Sequence, residues 1–204
     1  MIIIDELKEG FNIMLHPKNA TQKERKIGEA LAFYYKMSII PLILYIILYI
    51  IFDLAVQPTY ATKLLTGPSS TFIRFFSGVS VIGGILALLV TIPISLFVFA
   101  FLYQIFGKLF KAFSNPYSNT FTATVYGIVP YILFYWLSPV PLVSLLLIIF
   151  NFWSLAITIL ALANQQKTSI LKAFAVIIIP TVIIVVVTLI SLGLFSSSFV
   201  SNSI

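Results

Sequence analysis

Cysteine is missing from this chain of 204 residues, histidine occurs once, and only 9% of the residues are charged. Without cysteine there is no disulfide framework, no thiolate metal site and no sulfur nucleophile. The lone His16 is far in sequence from any serine of an apolar segment, which excludes a buried Ser–His dyad. Asp53 is the only acid inside an apolar segment, so paired aspartates are excluded as well. Histidines and carboxylates do not cluster as metal ligands, and no phosphate-loop or dinucleotide glycine pattern appears. The reading is a protein that is not an enzyme, with no metal and no cofactor.

What the chain does contain is hydrocarbon. Hydrophobic residues make up 60% of it and the mean hydropathy is +1.10. Ser38–Leu54, Val79–Phe106, Val140–Ala163 and Ala173–Phe195 are almost uninterrupted apolar runs, and a helix needs roughly 20 such residues to cross the bilayer core. The fold class is therefore all-α: a polytopic membrane helical bundle with five transmembrane helices, at about 37–55, 78–106, 121–137, 140–163 and 173–195. Residues 1–36 form an amphipathic cytoplasmic lead, and 196–204 an external tail. The opening Met1-Ile-Ile-Ile-Asp-Glu lacks the basic-then-apolar order of a signal peptide, so Met1 reads as the mature terminus.

In the lead, Ile3, Leu7, Phe11, Met14 and Leu15 recur at helical spacing among Asp5, Glu6, Lys8 and Glu9. The apolar side should dock on the inner ends of the spans or on a partner, with Lys18, Lys23, Arg25 and Lys26 facing lipid headgroups. His16-Pro17 should interrupt this helix. Thr21-Gln22-Lys23-Glu24 has capping-box spacing, so a second helix is expected from Gln22 toward Lys36. Gly83-Gly84 and Pro93 are the expected bending sites of the long second span.

The net charge of +6 has no basic stripe interleaved with stacking aromatics, which argues against nucleic acid. Its distribution instead sets a topology. With the N-terminus inside, the inner segments hold Lys8, Lys18, Lys23, Arg25, Lys26, Lys36, Lys108, Lys111, Lys167 and Lys172, and the outer segments only Lys63 and Arg74. That asymmetry predicts a multi-pass cell-membrane protein with a cytoplasmic N-terminus and an external C-terminus. Both loops flanking spans three and four are basic, which a re-entrant hairpin would also give; the length of span four favours crossing.

Four groups of residues stand out. Asp53 and Arg74 flank one outer loop and are expected to pair. Ser80, Gly83, Gly84 and Ala87 have small-x-x-x-small spacing, suited to close packing within the chain or between copies in a homo-oligomer. Asn151, Ser154 and Thr158 could line a polar groove in span four, or hydrogen-bond between helices. Phe11, Lys18, Lys23, Arg25 and Lys26 form a candidate interaction surface on the cytoplasmic side.

Ala123-Thr-Val-Tyr-Gly-Ile-Val-Pro130, Asn151-Phe-Trp-Ser-Leu155, Leu160-Ala-Leu-Ala163, Leu171-Lys-Ala-Phe174 and Ile179-Pro180 resemble stretches of the third, fourth and fifth spans of the Yip family. Leu15-His-Pro17 is similar to the lead of its prokaryotic relatives. The resemblance implies five spans, an inside N-terminus and a non-enzymatic role in organising membrane or protein assemblies. Founding members interact with Ypt/Rab GTPases, but Gly28–Lys36 does not match the Asp-Leu-Tyr-Gly-Pro-like motif linked to trafficking. The expected partners are thus membrane lipids and a protein of unspecified identity. Two rival readings stand beside this one: a small transporter or lipid-handling protein with a polar groove between spans, and a structural subunit of a larger membrane complex.

Overall fold

The computed structural model describes residues 2–64, 82–140 and 146–201, and all regular structure among them is helical. Helix α1 (Ile2–Leu15) ends at His16, and Pro17 opens the single turn α2 (Pro17–Ala20), where a missing N–H costs least. The capping box expected at Thr21–Glu24 does not form. Thr21 turns its hydroxyl back to donate to the Pro17 carbonyl at 2.6 Å, and residues 23–26 run without helix. The reach-back bond is made one turn later instead, from the Lys26 N–H to Glu29 Oε2 at 3.2 Å, and there α3 (Ile27–Leu64) begins. This 38-residue helix joins the expected second lead helix to the first span and continues past Asp53 through Pro58. A proline removes one helical donor but need not end the helix. The stretch of α3 that is long and apolar enough to cross a membrane is Ile27–Ile51, which overlaps the span expected at about 37–55.

Helix α4 (Ile82–Leu109) contains a π-helical turn at Ala87–Thr91, immediately before Pro93. Its 28 residues reach about 42 Å at the α-helical rise, longer than a perpendicular crossing requires. The third span, Tyr117–Leu137, is built from α5 (Tyr117–Gly127), α6 (Val129–Phe134) and a 3-10 turn, Tyr135–Leu137. Helices α7 (Leu146–Gln165) and α8 (Ile170–Ser201) complete the chain. Four helical stretches are long and apolar enough to cross a membrane, and Ile170–Ile183 of α8 adds a shorter apolar one.

The third span is the centre of the bundle. Its most apolar part is 72% buried, against 22–33% in the other three, and every residue from Asn119 to Gly127 is buried. Phe33, Tyr34, Tyr126, Ile132, Ile157 and Leu162 form the core around it. The surrounding helices turn Ile94, Phe101, Phe152 and Val182 outward. Apolar side chains that face out of a bundle this way are at home in lipid rather than water.

Helix α1 lies against the bundle, but in a different rotation from the expected one. Glu6, Glu9, Gly10 and Ile13 form its inward face, Leu7 and Met14 are half-buried, and Ile4, Phe11 and Leu15 are exposed. Arg25 is also turned inward rather than toward headgroups, its side chain only 8% exposed. One cause sets both orientations. A guanidinium removed from water needs carboxylates around it, and it draws the acidic side of α1 inward.

Candidate functional site

The N-termini of α3, α5 and α8 and the C-termini of α4 and α7 meet at one end of the bundle, together with Lys18, Lys23, Lys26, Lys108, Lys111, Lys167 and Lys172, all exposed. Under this basic end lies a network of side-chain amides. Gln165 Nε2 donates to the carbonyls of Thr21 at 2.8 Å and Lys23 at 2.9 Å. Asn164 Nδ2 donates to Lys18 O at 3.0 Å and Thr21 Oγ1 at 2.8 Å. Gln166 accepts from the Asn115 N–H at 3.0 Å and donates to Thr120 Oγ1 at 2.8 Å. Gln104 donates to the Asn115 carbonyl at 3.1 Å and accepts from Thr120, and Asn119 donates to Gln165 O at 3.2 Å. Backbone of the lead and of the 110–116 loop, which would otherwise hide polar groups without partners, is thereby tied to α4, α5 and α7.

Both loops of this end leave their helices through the same device. After α4, the Ala112 N–H bonds to Gly107 O at 2.8 Å and Lys111 N–H to Lys108 O at 3.0 Å. After α7, Thr168 N–H bonds to Ala163 O at 3.0 Å and Lys167 N–H to Asn164 O at 3.3 Å. Each is a Schellman closure, which needs one residue in the left-handed region. Those residues are Lys111 and Lys167, both at φ 51°. Phe113 lies on Gly107, where a Cβ would come within 2.6 Å of its ring Cε2.

Beside the amide network sits an ionic one. Arg25 Nη2 is 2.6 Å from Glu9 and 4.0 Å from Glu6, while Lys23 pairs with Glu9 at 3.2 Å and Lys36 with Glu6 at 3.5 Å. Arg25 Nε donates to the Tyr126 hydroxyl at 3.0 Å, which donates to Lys23 O at 2.9 Å. The guanidinium carbon stands 4.4 Å from the Phe33 ring centroid, a cation–π distance. Burial alone would lower the Arg25 pKa, but the bonds to Glu9 and Tyr126 outweigh it and the pKa is raised. Arg25 is therefore a fixed positive centre. Farther along, Trp153 Nε1 donates to Met14 O at 3.0 Å and holds the end of α1 against α7.

The Asp53 side chain, Arg74 and Ser80 lie outside the described residues. Gly84 packs against Tyr45, whose ring carbon Cζ a Cβ would meet at 2.5 Å, whereas Gly83 faces open space and Ala87 is half-buried. Asn151 is exposed and donates to Leu147 O; Ser154 and Thr158 are buried, and Thr158 donates to Ser154 O at 2.7 Å. The three do not share one environment. Thr158 also fills the space over Gly127, where a Cβ would fall 2.8 Å from its own Cβ. Lys18, Lys23, Lys26 and Phe11 are all exposed, while Arg25 is turned inward onto Glu9. The amides Gln104, Asn115, Asn119, Gln165 and Gln166 were not singled out, although their position at the ends of apolar runs was a usable signal.

A family model, the Yip1 domain, matches residues 11–192. The chain belongs to the Yip1 family. No curated protein and no solved structure matches it. As a Yip1-domain protein with several membrane-length apolar helices, it is a multi-pass membrane protein. The matched region contains Tyr126 and Gly127, the first bonded to the lead and the second in contact with α7.

Proposed function

We propose that this Yip1-domain protein is a non-enzymatic membrane scaffold. Its basic end faces the cytoplasm and organises membrane or protein assemblies there. The observation that carries this reading is how the polar side chains are used. Gln104, Asn115, Gln165, Gln166 and Arg25 bond to other parts of the same chain and make lead, loops and helix ends one firm surface. Within the body of α7, Asn151 and Thr158 donate back to carbonyls of their own helix, those of Leu147 and Ser154, which supports a scaffold over a transporter groove. On the outer side of α1, Ile4, Phe11 and Leu15 remain exposed, and Lys18 is exposed beyond them.

The test is a quantitative pull-down from native membranes with the full chain and with a Phe11→Asp/Lys18→Glu variant of equal thermal stability. Proteins recovered with the full chain and depleted with the variant are expected. Identical recoveries, or uptake of a solute by proteoliposomes of the purified protein, would overturn the reading.

A further inference from the structure

All six acidic residues of the chain lie at or before Asp53. The remaining three-quarters has lysines and an arginine but no carboxylate side chain. Lys108, Lys111, Lys167 and Lys172 belong to that part, are all exposed, and make none of the ion pairs among the described residues.

The fold brings these lysines to one corner. The Asn115 N–H bonds to Gln166 at 3.0 Å, and Asn115 Nδ2 donates to Gln165 O at 2.5 Å, so the loop carrying Lys111 is joined to the turn carrying Lys167. Large apolar side chains beside the lysines are bare: Leu109 is 69% exposed and Leu171 77%, with Phe110 and Phe174 exposed as well. A water-facing surface would not leave such residues uncovered. Lysines beside exposed Leu and Phe match the two halves of an anionic phospholipid, phosphate and acyl chain.

The backbone adds an independent observation. Lys111 and Lys167 each occupy the left-handed position of a Schellman closure, where glycine is the unstrained residue and asparagine the usual second choice. A lysine there is disfavoured by local conformation, at both corners alike. Strain kept at matching positions points to a use for the side chain.

We propose that the corner formed by the 107–116 loop and the 164–172 turn is a selective binding site for anionic phospholipid. Lys111 and Lys167 take the headgroup phosphate from the two closures, Lys108 and Lys172 flank it, and Phe110 and Leu171 lie along the acyl chains. The site is a property of the basic end itself and holds whichever side of the membrane that end faces, so its failure and that of the scaffold reading are separable.

The full chain, placed in nanodiscs of mixed phosphatidylglycerol and phosphatidylcholine, is analysed by native mass spectrometry for the lipids it retains. Phosphatidylglycerol should be enriched on the wild type, and selectivity should fall about fivefold for each of the two lysines removed, the effect of one lysine near an anionic surface. Lys111→Gly/Lys167→Gly is the decisive variant, since glycine relieves the left-handed strain while removing the charge. It should melt no lower than wild type and yet lose the selectivity, whereas Lys111→Arg/Lys167→Arg should keep it. Equal retention of the two lipids by the wild type would overturn the proposal, as would undiminished selectivity in the glycine variant.

Discussion

Tyr34 donates its phenolic hydrogen to the Leu88 carbonyl, across the interface between α3 and α4. The bond exists because of Pro93. In the π turn the Ile92 N–H bonds to Ala87 O, so the next donor in register, the one due to Leu88, would come from residue 93. A proline has none. Tyr35 serves the adjacent Leu89 carbonyl at 3.2 Å. The expected bend at Pro93 is thus an irregular stretch of helix whose freed carbonyls are taken up by two tyrosines of the first span, as membrane helices require.

Tyr34→Phe should therefore destabilise the protein by about 1–3 kcal/mol, the cost of leaving a buried carbonyl without a donor. Pro93→Ala restores an N–H in that register, and the Tyr34→Phe penalty should shrink in its background. Thermal unfolding of the two single variants and the double variant in one detergent measures the coupling; additive effects would contradict it.

Removing Arg25 or Glu9 should release α1. The Arg25 side chain is 8% exposed and 2.6 Å from Glu9, which is 24% exposed, so breaking the pair from one side should cost less than the about 3–5 kcal/mol of a fully buried one. Hydrogen exchange over residues 2–15 should rise in Glu9→Ala and Arg25→Ala. Phe11→Asp alters the outer side of the same helix, where Phe11 is 41% exposed, and should leave exchange near the wild-type level.

Gln165→Leu keeps the volume of a fully enclosed side chain but removes its two bonds to the carbonyls of Thr21 and Lys23. A loss of about 2–4 kcal/mol is expected, at about 1–3 kcal/mol for each unsatisfied group with partial relaxation. Limited proteolysis should cut first between residues 16 and 26. Cleavage elsewhere would show that the amide network does not anchor the lead.

Gly127→Ala tests the packing of α5 on α7. An added Cβ would stand 2.8 Å from Thr158 Cβ and 3.0 Å from its Cα, so the helix backbones must separate. The expected cost is about 1–3 kcal/mol. Thr158→Ala should recover only part of it, because the backbone of residue 158 still crowds the added methyl. Full recovery, read from the melting temperature, would place the clash in the side chain alone.

The spans were legible because hydrocarbon demands an apolar residue at nearly every position, and no tertiary knowledge is needed to see Ile82–Leu109 as a membrane helix. The rotation of α1 was not legible. Ile3, Leu7, Phe11 and Leu15 form an apolar side by spacing, but which side turns inward is decided by Arg25, a residue outside that helix. The start of α3 was misplaced for a similar reason, since the Thr21 hydroxyl had a nearer carbonyl at Pro17. The amide network joins residues up to 146 positions apart, and local pattern carries no trace of such pairings. Tyr126-Gly127 was visible as a family-like run, but its two contacts, with Arg25 and with Thr158, belong to the folded chain.

Site-directed labelling tests most directly whether the basic end faces the cytoplasm, as proposed. Single cysteines are introduced at Ser114, exposed at the basic end, and at Ser197, near the far end of α8, in a chain that has no cysteine of its own. On intact cells a membrane-impermeant maleimide should label Ser197→Cys at once and Ser114→Cys only after permeabilisation. Labelling of Ser114→Cys on intact cells, or of both variants from one side, would contradict the claim.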